Sequence, residues 1–187
     1  MEENAIMKAT GIVRRIDDLG RIVIPKEIRR TLRIRESDPL EIFTDKEGEI
    51  ILKKYSPIGE IGGFARQYAD SLAAVSGHIA LITDRDQFIA NAGGGKNFLG
   101  KNISKGLEEK MDNRETLLAA KGDRNFFTIC EEIQDEYLNE AVCPIICEGD
   151  VIGTVILINN DPKGKMGEAE QKMIQSAAGF LGKQMEQ

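Results

Sequence analysis

The chain has 187 residues, with 25 Lys and Arg against 31 Asp and Glu, a formal charge of −6, and 41% hydrophobic and 5% aromatic residues. A −6 body repels nucleic acid and anionic membranes on average, so bulk composition argues against a general binder of either. One histidine and no tryptophan remove most His-based metal sites and hydrolytic triads. The average hides a segregation. Residues 1–54 carry 12 basic against 11 acidic side chains, a net +1, and residues 55–187 carry 13 against 20, a net −7. Within Lys8–Arg35 nine basic residues meet only Asp17, Asp18 and Glu27, a local +6. This asymmetry favours two domains over one at this length.

No stretch reaches the roughly 20 apolar residues that span a bilayer. The acidic start Met1-Glu2-Glu3-Asn4 lacks the basic and apolar regions of a secretory signal. A cytoplasmic protein with no membrane partner is expected. Cys130, Cys143 and Cys147 lie in apolar or strand-like context and read as reduced thiols, not a disulfide framework.

Residues 1–6 lack periodicity and read as a short extension. Ala9–Ile16 is β-rich, Asp17-Asp18-Leu19-Gly20 supplies turn chemistry, and Arg21–Ile24 resumes a strand, so a hairpin is expected. Pro25 suits the first turn of a helix continuing to Leu32, with Ile28 and Leu32 on one face. Ser37-Asp38-Pro39 breaks the chain. Leu40–Phe43 and Ile50–Lys53 then flank the turn Lys46–Glu49 as a second hairpin. Apolar residues occupy both parities of these strands, at Ile12/Val13, Ile22/Val23 and Ile50/Ile51, so both faces of the sheet need cover. A unit this small is marginal alone, and an intertwined dimer sharing one core answers the need.

Ser56-Pro57 marks a boundary. Ile58, Ile61, Phe64 or Ala65, Tyr68, Leu72 and Val75 predict a helix that Gly77 ends. His78–Thr83 and Gln87–Ala92 predict a hairpin about Asp84-Arg85-Asp86. Asn97–Lys121 reads as a polar helix with Leu99, Ile103, Leu107 and Met111 four apart, and Phe126–Cys130 as a strand. Ala141–Cys147 and Val151–Ile158 flank Glu148-Gly149-Asp150 as a long hairpin, and Gly167–Met185 is a terminal helix. The order α-β-β-α-β-β-β-α predicts an antiparallel sheet with helices gathered on one side, an α+β sensor-type domain.

Arginines mark the first unit. Arg14 and Arg15 end one strand, Arg21 begins the next, and Arg29 and Arg30 sit on the short helix. Arginine's planar fork bonds two oxygens or a guanine edge at once, and a two-fold dimer would duplicate the set into a surface that follows double-stranded DNA. The bland alternative is a set of solvated charges paired with Asp17, Asp18 and Glu27.

The run Lys8–Leu32, KATGIVRRIDDLGRIVIPKEIRRTL, closely resembles the AbrB-like swapped-hairpin DNA-binding domain of bacterial transition-state and sporulation regulators, over about residues 7–54. The resemblance implies a swapped-hairpin β-barrel homodimer in which Arg14, Arg21, Arg29 and Arg30 contact DNA with Arg15 in support. Arg33 departs from it, standing where many relatives carry the glycine that ends the helix. In the remainder, 55–187, the segment Pro144–Val155, PIICEGDVIGTV, resembles the hairpin of GAF-type sensor domains. Together the two domains, with the ending Ala177–Gln187, resemble a family of sporulation-stage transcription factors. That implies a tetramer acting as activator and repressor of forespore genes, nucleoid-associated, with assembly as the second domain's role and small-molecule sensing also open to it.

Other motifs fail. Gly93-Gly94-Gly95-Lys96 lacks the P-loop's glycine at Ala90 and Ser or Thr at Asn97, and reads as a loop rimming a sensor pocket. Cys143 and Cys147 would be about 13 Å apart along a strand and have no further ligands, so no metal site is expected. Neither a cofactor nor a catalytic residue is expected, and His78 reads as structural. Two alternatives remain: a GAF-type thiol methionine sulfoxide reductase tethered to DNA, using Cys143 and Cys147, and an antitoxin on the AbrB-like fold. The second is disfavoured because residues 58–187 pattern as a folded domain, not a pliable tail.

Overall fold

A computed structural model describes residues 10–60, 62–94, 97–133, 137–162 and 164–186. The expected extension at 1–6, the strand start at Ala9, Ile61 of the helical stripe and Gly95-Lys96 of the glycine run lie outside these residues. The chain divides into two compact units, one ending at Lys54 and the next beginning at Tyr55.

In the first unit, local chemistry forms and long-range pairing does not. At the first turn, the Asp17 amide donates to the Arg21 carbonyl at 3.0 Å and the Gly20 amide to the Asp17 carbonyl at 3.0 Å. Gly20 holds φ +75°, the left-handed residue that a three-residue hairpin loop requires. The strands expected on either side are absent from residues 10–24 of the single chain, which corrects the expected hairpin of Ala9–Ile16 with Arg21–Ile24 to a turn alone. The apolar side chains on either side of the turn, Ile12, Val13, Ile16, Ile22 and Val23, find no cover within one copy. Helix α1 (Lys26–Thr31) follows Pro25, and β1 (Leu40–Thr44) pairs antiparallel with β2 (Ile50–Lys54), Ile42 opposite Leu52. Lys54 Nζ ties the ends together, donating to the Arg33 carbonyl at 2.9 Å and meeting Asp38 Oδ2 at 3.2 Å. Pro25 is nevertheless the one buried residue among the described residues of this unit. Val13 is 86% exposed, Val23 73% and Ile42 67%.

The second unit is a three-layer α+β fold. After α2 (Pro57–Glu60) and α3 (Gly62–Ser76) come β3 (Ile79–Thr83), β4 (Phe88–Ala92), α4 (Lys105–Asp112), β5 (Leu117–Ala120), β6 (Asn139–Cys147), β7 (Asp150–Asn159) and α5 (Glu168–Gln184). The five strands form one antiparallel sheet in the order β4-β3-β7-β6-β5. Period-2 alternation divides the core between its faces. Ala80, Ile82, Val155 and Leu157 face α3 and α5, through Ala65, Ala69, Ile174 and Ala177. Leu81, Phe88, Ile156 and Ile158 face the opposite layer, built from α4 with Phe98, Ile129 and Tyr137. Helices therefore cover both faces, not one as the element order suggested.

The expected helix Asn97–Lys121 shortens to α4. Ser104 starts it by accepting the Leu107 amide on its Oγ at 3.1 Å and donating that hydroxyl to the Thr128 carbonyl. Arg114, at φ +56°, lies just beyond its end. The apolar spacing was real, since Ile103, Leu107 and Met111 are buried, but Leu99 is exposed and Ile103 lies before the cap. Phe126–Cys130 is not a strand. It runs as covering chain, with Ile129 and Cys130 buried and the Ile129 amide donating to Tyr137 Oη at 3.0 Å. The edge beside β6 goes instead to β5, Leu117 opposite Val142. Among the described residues no helix is long and apolar enough to cross a membrane.

Two glycines of α5 give opposite expectations. A Cβ on Gly182 would lie 2.1 Å from the Ile146 carbonyl oxygen, backbone against backbone, whereas one on Gly179 meets nothing within 4 Å. Gly182→Ala should cost about 1–3 kcal/mol by forcing α5 off the sheet. Gly179→Ala should gain about 0.5–1 kcal/mol in an exposed helix interior. Urea unfolding of the two variants checks both signs.

Candidate nucleic-acid interface

The five arginines lie just before the turn, at its end and on α1. Arg14 and Arg15 precede the turn and are exposed; Arg21 leaves it, its side chain 68% exposed; Arg30 is exposed on α1 and Arg29 half-buried. Among the described residues Arg14, Arg15, Arg29 and Arg30 form no ion pair. Asp17 takes Arg21, with the arginine Nε 2.8 Å from its Oδ2. The pairing alternative thus holds for one arginine of the five. The Arg21 amide, and then its guanidinium, hold the Asp17 carboxyl below the usual carboxylate range, so it is ionised beside the fork at neutral pH.

Arg33 ends α1 at φ +53° while the Ile34 amide returns to the Arg29 carbonyl at 2.7 Å. The arginine therefore adopts the left-handed conformation that glycine takes without strain, and it leaves one more charge beside Arg29 and Arg30.

In the second unit, burial first, outweighing a hydrogen bond from Thr116, pushes the Cys143 thiol up, and burial followed by the carboxylates Glu148, Glu186 and Asp150 pushes Cys147 up. Both therefore disfavour the thiolate that a nucleophile needs. Cys130 is buried in the α4 layer. His78, ahead of β3, has its Nε2 3.6 Å from Glu170 Oε1, while the other Glu170 oxygen accepts the Gly167 amide at 2.6 Å and so fixes the start of α5. No group of His, Cys, Asp and Glu among the described residues could hold a metal ion. On the outer side of α3 and α5, Phe64, Tyr68 and Phe180 form an aromatic cluster. Tyr68 and Phe180 stack at 5.5 Å, and Phe64 and Phe180 are exposed.

A basic turn-helix unit followed by a GAF-like sheet is the make-up of a DNA-binding transcription regulator. Residues 60–186 match the family model of the stage V sporulation protein T C-terminal, transcription factor, and residues 13–60 that of antidote-toxin recognition MazE, bacterial antitoxin. The chain is 55% identical over 182 residues to stage V sporulation protein T of Bacillus subtilis (strain 168), covering 97% of this chain and all of that one. The first unit is 67% identical over 51 residues to the transition state regulatory protein AbrB of the same organism, 27% of this chain and 52% of that one. Two solved structures share the fold of the second unit at 13% identity, each covering 67% of this chain. One is the GAF domain of an Acinetobacter phosphoenolpyruvate-protein phosphotransferase, at TM-score 0.56 over 81% of that chain. The other is a type II free methionine-R-sulfoxide reductase from Thermoplasma acidophilum, at 0.51 over 94% of that chain. The chain belongs to the stage V sporulation protein T family.

Arg33→Gly should raise stability by roughly 0.5–1 kcal/mol, strain relief outweighing the added freedom of the unfolded chain. Thermal unfolding at matched concentration measures it.

Proposed function

We propose that the first units of two copies intertwine into one barrel and present Arg14, Arg15, Arg21, Arg29 and Arg30, twice over, to double-stranded DNA. The carrying observation is that, among its described residues, the unit has one buried residue, apolar side chains exposed on both parities, and four of five arginines free of protein ion pairs. The second units then join pairs of dimers. Their Phe64–Tyr68–Phe180 cluster, with Phe64 and Phe180 exposed and Tyr68 half-buried, lies on two helices whose other faces are used by the sheet and supports a helix-to-helix contact between copies. Two DNA-binding dimers in one tetramer raise effective concentration on paired sites, so avidity comes without a larger interface. The family carries the rest of the reading: activation and repression of forespore genes by a cytoplasmic, nucleoid-associated protein, with the GAF-like unit as the place for any small-molecule effector.

The chain acts by binding, not catalysis. The reductase resemblance is one of fold, and thiols raised by burial and by three carboxylates do not favour nucleophilic chemistry. The antitoxin reading is disfavoured by the folded sheet that follows the basic unit.

Arg21→Ala and Arg29→Ala should each weaken DNA binding about tenfold in gel shifts at physiological salt, and loss of a phosphate contact at Arg29 should lower the salt slope by about 1. Wild-type binding by either would remove that arginine from the interface. Phe180→Asp should leave the C-terminal fold intact and halve the assembly to a dimer in sedimentation velocity. A persistent tetramer would displace the aromatic cluster from the contact.

A further inference from the structure

The first unit contains the same turn geometry twice, and the two copies differ at the residue four places after the aspartate. In Asp17-Asp18-Leu19-Gly20-Arg21, Asp17 Oδ1 accepts the amides of Leu19 at 3.0 Å and Arg21 at 2.8 Å. In Asp45-Lys46-Glu47-Gly48-Glu49, Asp45 Oδ1 accepts the amides of Glu47 at 2.9 Å and Glu49 at 2.9 Å. Each turn closes with a glycine in the left-handed region, Gly20 at φ +75° and Gly48 at φ +85°. One carboxylate oxygen is therefore enough to build the turn. At the second turn the residue four places on is Glu49, whose carboxyl is raised, first by burial and then by the charge of Asp45. At the first turn that residue is Arg21, and its Nε donates to the spare Asp17 Oδ2 at 2.8 Å.

We infer that Asp17 is a positioning residue for base recognition, holding the Arg21 guanidinium by its Nε so that the outer Nη pair is presented to a guanine edge. This rests on the reading of Arg21 as a DNA contact. The Nη groups have no other protein partner among the described residues. A guanidinium docked through one edge retains a flat two-donor edge of fixed orientation, the geometry that meets guanine O6 and N7. Base recognition, not phosphate contact, is the favoured use because a carboxylate beside phosphates costs electrostatic affinity wherever the protein lands. A fixed fork recovers affinity only on the matching base. Asp17 therefore trades general affinity for discrimination.

Asp17→Asn separates the two oxygens' roles. The amide oxygen still accepts the two turn amides, and asparagine is a favoured turn residue, but the amide nitrogen cannot accept from Arg21. The test uses the full-length protein, a duplex selected by the wild type from a randomised library, and poly(dI-dC) as non-specific competitor. Asp17→Asn should keep wild-type circular dichroism, lower the ratio of specific to non-specific affinity about tenfold, and leave or raise non-specific affinity. Asp45→Asn, the same change at the twin turn, should leave the ratio unaltered. In an Arg21→Ala background Asp17→Asn should lower the ratio no further. Equal changes on both DNAs would make Asp17 only a structural or repelling charge, and an equal effect of Asp45→Asn would make the loss a property of the turn; either overturns the inference. Should Arg21→Ala bind both DNAs like wild type, the underlying contact reading falls as well. Should Arg21→Ala weaken specific binding while Asp17→Asn does not, the positioning role alone falls.

Discussion

The apolar side chains of the first unit have no interior of their own. Twelve of them, from Ile12 to Leu52, are exposed in the single chain. Burying one such side chain is worth about 1.5–3 kcal/mol, whereas bringing two chains together costs about 4–15 kcal/mol. Even half of the twelve, counted on both copies, outweighs that cost. The exposed apolar side chains thus support the proposed two-fold pairing, which would double the arginines and space them symmetrically. On this account recognition and folding are one event, because the surface that reads DNA exists only when the core is shared.

The electrostatics divide along the same boundary. A formal −6 for the chain is the sum of a +1 first unit, within which Lys8–Arg35 alone carries +6, and a −7 second unit. Among the described residues Arg14, Arg15, Arg29 and Arg30 form no ion pair, and Asp17 takes Arg21 through its Nε alone. On the proposed reading, the −7 of the acidic unit would discourage loose contact with DNA away from the arginines, so opposite charges on one chain would serve the same selectivity.

Much of this was legible because it is local. Both Asp-x-x-Gly turns, the start of α1 after Pro25, the β6–β7 hairpin and the helix α5 are fixed by residues within a few positions of one another, and each formed where expected. The errors lie where tertiary context decides. Leu99, Ile103, Leu107 and Met111 keep a helical spacing, yet Ser104 caps in the middle of it and places half of that stripe on covering loop. Phe126–Cys130 has strand composition, but the edge position beside β6 is filled by Leu117–Ala120. The five candidate arginines were visible as charge. The spare oxygen of Asp17 was not, because only geometry shows that Asp45 builds the same turn with one oxygen.

Sedimentation combined with hydrogen exchange across the Ile12–Ile24 amides, over a dilution series of the full chain, tests the shared core most directly. Protection of those amides should appear only in species of at least two chains and should fade with dissociation while the β3–β7 sheet stays protected. A single-chain species with Ile12–Ile24 fully protected would contradict the account.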